Sequence, residues 1–358
     1  MLNMKKVYKL ASFGYGGMAG IHIDKVLNKY DRVDVKGVYD INPDRAKAAA
    51  DKGYKAYASK DELLNDPEID IVLVATTNEC HKELCIDALR HGKTVLCEKP
   101  ATMTSKDLED VMAVAKETGM VFTVDQNRRV NKDFVAMRRC VEQGLLGDVY
   151  VIESRVEGSR GMPAGWRCEK EKGGGMMLDW GVHLIDQIMY MVDQKVTNVF
   201  CKMYNVHYDE VEDNFRLCLT FENGLTAHIE VSTNNYIRHP RWYVLGTDGT
   251  LQIDDWDAVG KVVRPIEQQN QWGVDIVSTK AGPSKTMAPR DESTVEIIPI
   301  SAPTDVVDDL TSVYNPLVAK LDGEGELTIT PEQALRVIKV MEAAFESAKT
   351  GDAIHTNI

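Results

Sequence analysis

Two rhythms of hydrophobic and polar residues divide the chain. From residue 7 to about residue 127, short apolar runs alternate with longer segments in which apolar residues recur every three or four positions. That alternation is typical of strand-helix-strand units, so it predicts a parallel sheet with helices on its faces. The predicted strands are VYKLASF, VDVKGVYD, DIVLVAT, TVLCEKP and MVFTVD.

The segments between these runs carry helix signals. NECHKELCIDALRHG and SKDLEDVMAVAKETG end at Gly92 and Gly119, which suit the left-handed backbone that commonly closes a helix. In SKDELLN, Ser59 and Glu62 have the spacing of a capping box. The first third of the chain therefore has both the strands and the helix ends that a parallel α/β domain needs.

After residue 128, apolar and polar residues mostly alternate at every second position. One helix-like segment, NKDFVAMRRCVEQGLLG, leads to the strand DVYVIESRVEG, and then FRLCLTF and LTAHIEV flank Asn223-Gly224, a strong hairpin signal. YVLGTDGTLQID reads as another hairpin, PEQALRVIKVMEAAFESAKTG as a closing amphipathic helix, and residues 267–293, polar and without a period, as a loop. The patterns predict an α/β protein with two domains, residues 1–127 and residues 128–358, the second built on an antiparallel sheet.

The composition of the chain excludes some classes of binding partner. The 358 residues carry a formal net charge of -13, which would repel nucleic acids and anionic membrane surfaces and suits a neutral small molecule. No apolar run approaches the ~20 residues of a membrane span, and no cleavable signal pattern precedes the first strand, so we expect a cytoplasmic protein. The seven cysteines show no metal or disulfide spacing and are interpreted as reduced.

The first strand leads into a dinucleotide motif. In FGYGGMAGIHIDKV, Gly14, Gly16 and Ala19 match G-x-G-x-x-G/A, which brings backbone N–H groups close to a pyrophosphate at a helix N-terminus. Asp40 ends the second strand, where an acid accepts the hydroxyls of the adenosine ribose. Its carboxylate favours NAD over NADP, although Arg45, one turn further on, could soften that preference.

Two other segments carry candidate chemistry. If GGGMMLDWGVHLID is helical from Met176 onward, then Asp179, His183 and Asp186 share one face, and a carboxylate beside an imidazole can act as a proton-transfer base. Lys99 in CEKP follows an apolar strand, at the sheet edge where ligands bind in α/β folds.

Six motifs in this order resemble those of the Gfo/Idh/MocA family of nicotinamide-dependent oxidoreductases, along essentially the whole chain. They are G-Y-G-G-M-A-G-I-H at 14–22, A-T-T-N-E-C-H at 75–81, E-K-P at 98–100, N-R-R at 127–129, W-R at 166–167 and the glycine run at 173–186. Two positions depart from the family pattern: Thr77 stands where proline is usual, and Trp180 where an aliphatic residue is commoner.

The resemblance implies an N-terminal Rossmann fold and a C-terminal α/β domain with a large, mostly antiparallel open-faced sheet, through which subunits pair as dimers or tetramers. It also implies a cis peptide before Pro100 and catalytic roles for Lys99, Asp179 and His183. The cofactor-binding set is then Gly14, Tyr15, Gly16, Gly17, Met18, Ala19, Asp40, Arg45, Thr76, Asn78, His81, Glu98, Lys99 and Asn127. The substrate-binding set is Lys99, Arg128, Trp166, Arg167, Asp179 and His183.

The roles follow from the chemistry of alcohol oxidation. His183 would take the hydroxyl proton of a sugar, glycoside or cyclitol while hydride leaves for NAD; Asp179 would accept the other ring N–H, and Lys99 would stabilise the developing alkoxide. His207, His228 and His239 lack metal-ligand spacing, so we predict no catalytic metal. Two alternatives stay open: a redox-neutral reaction through a transient keto-sugar, and a non-catalytic NAD-sensing regulator, which the intact set of three disfavours.

Overall fold

The first part of the chain, residues 5 to about 127, folds into a parallel sheet, as its pattern predicts. It is here called the first half, and the remainder the second half. The computed structural model describes residues 5–267, 276–284 and 290–358. The strands of this sheet are β1 Tyr8–Phe13, β2 Val33–Tyr39, β3 Lys55–Ala56, β4 Ile71–Val74, β5 Thr94–Cys97 and β6 Phe122–Val124. Their spatial order is β3-β2-β1-β4-β5-β6, and all pairs are parallel. The order reverses between β1 and β4, and such a switch point is where dinucleotides bind.

The helices that the sequence predicts are present, and Pro43–Asp51 and Thr311–Leu321 are further helices that it did not indicate. The helices of the first half pack on the parallel sheet. In chain order the helices are α1 Gly17–Gly20, α2 Pro43–Asp51, α3 Lys60–Leu64, α4 His81–Arg90, α5 Ser105–Thr118, α6 Lys132–Glu142, α7 Val182–Met191, α8 Thr311–Leu321 and α9 Pro331–Thr350. Gly92 and Gly119 have the expected positive φ, +72° and +69°. No helix in the described ranges is both long enough and apolar enough to span a bilayer.

One predicted cap is only half formed. The Ser59 hydroxyl accepts the backbone N–H of Glu62, but the Glu62 carboxylate accepts the N–H of Ala58 and not that of Ser59. The helix start is therefore right, while the reciprocal bond of the predicted capping box is displaced by one residue.

The second half is built on a large mixed sheet. Its strands, with those of a separate small hairpin, are β7 Val149–Glu157, β8 Val196–Tyr204, β9 Asn214–Phe221, β10 Thr226–Ser232, β11 Trp242–Gly246, β12 Thr250–Ile253, β13 Gly260–Pro265, β14 Val277–Thr279, β15 Gly282–Ser284, β16 Val295–Ile300 and β17 Ile354–His355. The order of the nine-stranded sheet is β16-β13-β12-β11-β7-β10-β9-β8-β17, with β7 and β10 parallel and the other pairs antiparallel. Both predicted hairpins are confirmed, β9-β10 around Asn223-Gly224 and β11-β12.

The loop prediction for residues 267–293 was wrong in part. β14 and β15 pair as an antiparallel hairpin turning before Gly282, whose φ is +106°. Strands of three residues are too short for alternation to reveal them. Residues 268–275 and 285–289 of the predicted loop lie outside the described residues.

The end of the chain returns to the first half. Tyr314 on α8 places its hydroxyl 2.7 Å from Nδ1 of His22, and Asp322 accepts hydrogen bonds from Tyr8 and Arg32 at 2.9 and 2.7 Å. The parallel sheet ends at Val124 and α6 begins at Lys132, so the architecture changes in the stretch that holds the predicted boundary. The division at residues 127 and 128 stays a prediction, and the sequence did not indicate the return of α8.

Candidate active site

A cavity of about 770 Å³ lies where the two halves of the chain meet. The first half contributes Met18, Lys99 and Asn127, from the ends of its strands and the start of α1. The rest of the wall comes mainly from the second half: Arg128, Glu157, Met162, Arg167, Met176, Asp179, Trp180, His183, Thr233 and Trp256. The cavity therefore joins the predicted cofactor edge to the predicted substrate residues.

The helix that carries His183 does not begin as an ordinary α-helix. Residues Met177–Gly181 form a π-helical turn before α7, so the spacing of side chains around the axis differs from a regular helix. Asp179 and His183 both line the cavity, but Asp186 turns elsewhere and forms a buried ion pair with Arg129, with N–O distances of 2.8 and 2.6 Å. The prediction that all three residues share one face was wrong for Asp186.

Asp179 is the centre of an ion-pair network. Lys99 donates from Nζ to the carboxylate and to the backbone carbonyl of Asp179, at 3.0 and 2.8 Å, and Arg167 donates from Nε to the other carboxylate oxygen at 2.9 Å. Burial alone would raise the pKa of Asp179, but the charges of Lys99 and Arg167 outweigh it and hold the pKa below its usual value. Asp179 is thus a fixed anion that positions two cations at the cavity wall.

His183 is enclosed and neutral. Only 5% of its surface is exposed, and within the described part of the chain its Nδ1 has no hydrogen-bond partner. Burial, followed by the charges of Lys99 and Arg128, lowers its pKa well below the usual value. The expected hydrogen bond between His183 and Asp179 is not formed in this structure, where Lys99 and Arg167 each donate to one carboxylate oxygen of Asp179.

The glycine motif forms an open cradle at the end of β1. Gly14 has a φ of +89°, and a side chain there would place its Cβ 2.5 Å from the carbonyl oxygen of Ala75, so only glycine fits. A Cβ at Gly17 would meet no atom within 4 Å, and the first turn of α1 has no side-chain cap. The space and the unsatisfied N–H groups fit the pyrophosphate of a dinucleotide.

Asp40 lies beside this cradle and is rigidly held. Its two carboxylate oxygens accept the backbone N–H groups of Tyr15 and Asn42 at 2.7 and 2.8 Å. Arg45 lies 3.9 Å from the same carboxylate and is more than half exposed. The acid predicted to recognise the adenosine ribose is therefore in place, with the arginine that could modify its preference next to it.

Other predicted cofactor residues organise the neighbouring loops. The ring nitrogens of His81 lie 2.9 and 3.3 Å from the carbonyl oxygens of Pro100 and Thr76, which ties two loops together. The Lys99-Pro100 peptide is cis, as the resemblance implies. Asn78 donates to the carbonyl of Gly173 at 2.7 Å and so joins the first half to the glycine run.

Sequence reasoning missed a buried cluster behind Lys99. Nε2 of His22 lies 3.0 Å from Glu98 and 3.2 Å from Asp125, and one ligand atom from each of the three residues lies within 4.8 Å of the others, close enough to hold a metal ion. Burial opposes the charged imidazole, but hydrogen bonds to Asp125 and Glu98 raise the pKa of His22 to about 9. Burial and the charge of Glu98 raise the pKa of Asp125 to about 6.

The cavity also has an aromatic wall that the sequence only partly indicated. The rings of Trp180 and Trp256 lie 5.8 Å apart, and Trp180 is edge-on to His183 at 6.0 Å. Trp256 comes from the turn after β12, and a tryptophan among the acids of DDWD was the only signal for it. The predicted substrate residue Trp166 stacks on Arg167 at 4.6 Å and is not part of the cavity wall.

Two family models match the chain. The model "Oxidoreductase family, NAD-binding Rossmann fold" matches residues 8–126, and the model "GFO/IDH/MocA C-terminal domain" matches residues 134–252.

Individual proteins are similar over most of their length. An oxidoreductase of Schizosaccharomyces pombe is 30% identical over 324 residues, 86% of each chain. The scyllo-inositol 2-dehydrogenase (NADP(+)) of Bacillus subtilis is 27% identical over 350 residues, 95% of this chain and 94% of that protein. A crystal structure of an NAD-binding protein from Listeria innocua is 43% identical, with a TM-score of 0.92 and coverage of 98% of this chain and 100% of that one.

Proposed function

Because this chain belongs to the Gfo/Idh/MocA family of NAD-binding oxidoreductases, we propose that it oxidises a secondary hydroxyl of a sugar, glycoside or cyclitol to a ketone, reversibly and with NAD. The observation that carries the proposal is the convergence of Lys99, Asp179 and His183 on one cavity wall, next to Met18 and Asn127 of the cofactor edge. The activity named for the similar protein of Bacillus subtilis, inositol dehydrogenation, supports the same class of reaction.

Each residue has a distinct task in this proposal. NAD, when bound, accepts the hydride. His183 takes the hydroxyl proton, since a buried imidazole with a lowered pKa is unprotonated at neutral pH and ready to act as a base. Lys99 donates a hydrogen bond to the same oxygen, and its contacts with Asp179 fix the position of its ammonium group. Asp179 then acts through Lys99 and Arg167 instead of through the imidazole.

The choice of NAD over NADP rests on Asp40. A 2′-phosphate would lie against its carboxylate, which two backbone N–H groups hold in place, and the repulsion would weaken binding of NADP. The positive charge of Arg45 would attract the 2′-phosphate and so favour NADP, but Arg45 is exposed and already faces Asp40. The dehydrogenase of Bacillus subtilis is named for NADP(+), so the two cofactors must be compared directly.

The test is formation of reduced cofactor by the purified protein with inositols, aldoses and glycosides, supplied with NAD and, separately, with NADP. We expect turnover with NAD on at least one compound, and its loss in the variant His183→Ala. Turnover that survives in this variant would contradict the proposed base. A protein that binds NAD but turns over no compound of the panel would contradict simple dehydrogenation.

The large sheet supports a proposal of self-association. α7 and α9 pack against this sheet, while on strand β8 the aromatic rings of Phe200 and Tyr204 are 43% and 42% exposed. Exposed aromatic side chains on a sheet are commonly covered by a partner. We expect a dimer or tetramer in light scattering, and a monomer at all concentrations would contradict this.

A further inference from the structure

The cavity has the opposite charge balance from the protein as a whole. The chain carries a formal net charge of -13. The cavity wall, in contrast, holds three cations, Lys99, Arg128 and Arg167, and two carboxylates, Glu157 and Asp179, with His183 neutral. Its net charge is therefore +1, in the place where the substrate must lie.

Of these three cations, only one lacks a carboxylate partner among the described residues. Lys99 and Arg167 share the carboxylate of Asp179. Glu157 accepts two hydrogen bonds from His239, from its backbone N–H and at its ring Nδ1, both at 2.8 Å. Arg128, by contrast, has no carboxylate within 4.0 Å among the residues that the structure describes.

Arg128 nevertheless has donors to offer. Nη1 donates to Asn131 at 3.2 Å, Nη2 donates no hydrogen bond within the described ranges, and Nε is buried without a partner. Burial also lowers the pKa of its guanidinium, which is the mark of a charge taken out of water. A buried guanidinium with unused N–H groups is costly unless an anion completes it.

Two tryptophans hold this guanidinium without using its donors. The Cζ atom of Arg128 lies 4.3 Å from the ring of Trp180 and 5.4 Å from the ring of Trp256, and the aromatic faces stabilise the cation. Because stacking uses the faces of the guanidinium and not its N–H groups, the N–H groups that Asn131 does not hold are oriented in advance for a planar, two-oxygen acceptor. A carboxylate is such an acceptor.

We propose that Arg128 binds a carboxylate of the substrate, so that sugar acids, polyols that carry one carboxylate, are preferred to the neutral sugars that match them. The inference rests on the proposed function, since the hydroxyl held by Lys99 and His183 belongs to the same molecule. One unpaired guanidinium matches one negative charge. The net negative charge of the whole protein suggested a neutral substrate, but the cavity wall that contacts the substrate is not negative.

The kinetic test compares pairs of sugars that differ only in the acid group. D-glucuronate and D-galacturonate are assayed with NAD against D-glucose and D-galactose, with glucose 6-phosphate as a different oxyanion. We expect kcat/KM for the acids to exceed that for their neutral partners by about 10- to 100-fold, the worth of a charge-assisted hydrogen bond. Arg128→Met should remove this preference by raising KM for the acids. Arg138→Met, which removes an arginine stacked on Phe134 and Tyr190 outside the cavity, should keep it.

A binding test needs no turnover. Trp180 and Trp256 contact Arg128, so tryptophan fluorescence is titrated with D-glucuronate, D-galacturonate and D-glucose. We expect saturable change with an acid and not with glucose, in the wild type and in Arg138→Met, and no change in a folded Arg128→Met, as judged by its melting temperature.

The outcomes separate the two proposals. Turnover of neutral sugars without preference for their acids, or a preference for glucose 6-phosphate, would overturn the carboxylate site and leave the dehydrogenase intact. Binding of an acid that depends on Arg128, without turnover of any compound, would support the site and overturn the dehydrogenase. Equal or absent fluorescence changes with acids and glucose would overturn the site.

Discussion

His22 and His183 are both enclosed, with 0% and 5% of their surfaces exposed, yet their surroundings drive them to opposite charge states. Burial lowers the pKa of both imidazoles. Around His22, Asp125 and Glu98 reverse that effect and raise the pKa to about 9, whereas around His183 the charges of Lys99 and Arg128 add to it. The charges around a buried histidine, and not the extent of its burial, therefore decide whether it is a structural cation or a neutral base.

The largest expected effect is at the neutral histidine. His183→Asn should lower kcat/KM on the order of 10³-fold, because it removes the proposed general base, while NAD binding changes little. Steady-state kinetics and a cofactor titration measure the two effects. His228→Asn, on the exposed side of β10, is the matched control. If His183→Asn keeps a tenth or more of the wild-type activity, His183 is not the general base.

The charge of His22 should make the free energy of unfolding depend on pH. The pKa of His22 is about 9 in the fold and ~6.5 when unfolded, so its charge stabilises the fold fully below pH 6.5 and this contribution is lost as the pH rises through 9. Asp125, raised to about 6, acts in the same direction at lower pH. Between pH 6.5 and 9.5 the free energy of unfolding should fall by about 3 kcal/mol more in the wild type than in His22→Gln. Urea unfolding at both pH values measures this, with His355→Gln as control, and equal slopes would contradict it.

A smaller effect on the rate is expected from a change at Asp179, the anion that positions Lys99 and Arg167. Asp179→Asn leaves Lys99 and Arg167 without their shared carboxylate, so kcat should fall by about 10- to 100-fold through loss of position, while the base remains. Asp305→Asn removes an arginine-bound carboxylate at the surface and should have no effect. A loss as large as that of His183→Asn would show instead that Asp179 acts on the imidazole itself.

The smallest expected effect is the dependence of the rate on pH near neutrality. His183 must be neutral to accept a proton, and its pKa lies well below 6.5, so kcat/KM for oxidation should change less than about twofold between pH 8 and pH 6.5 and fall only at lower pH. A pH profile of the initial rate measures this. An acidic limb centred at or above pH 6.5 would place the base in an ordinary, solvated environment.

Local patterns predicted the fold because each element carries its own signal. Five strands of the parallel sheet and the hairpin at Asn223-Gly224 follow from buried apolar runs and turn residues. The strands β3, β14 and β15 have two or three residues that are not buried, so they carry neither a period nor an apolar run to detect. The return of α8 depends on contacts between residues about 300 positions apart, such as His22 and Tyr314, which no local pattern encodes.

The candidate site was predictable as a set of residues but not as a set of contacts. Motifs indicated Lys99, Asp179, His183 and Arg128, and all four line one cavity. The pairing of Asp179 with Lys99 and Arg167 instead of His183 depends on the π-helical turn, and a helix with regular spacing was the natural expectation. The buried group around His22 joins three separate segments of the sequence, so only the folded chain reveals it.

The return of α8 has a consequence for synthesis. His22 contacts Tyr314, and Tyr8 and Arg32 contact Asp322, so the nucleotide-binding half is completed only by residues translated about 300 positions later. While the ribosome is still making the second half, the first half lacks the helix that covers this face of its core. A nascent chain released before residue 322 would therefore carry an incomplete Rossmann unit, and the ability to hold a dinucleotide should appear only after residue 322 has been translated.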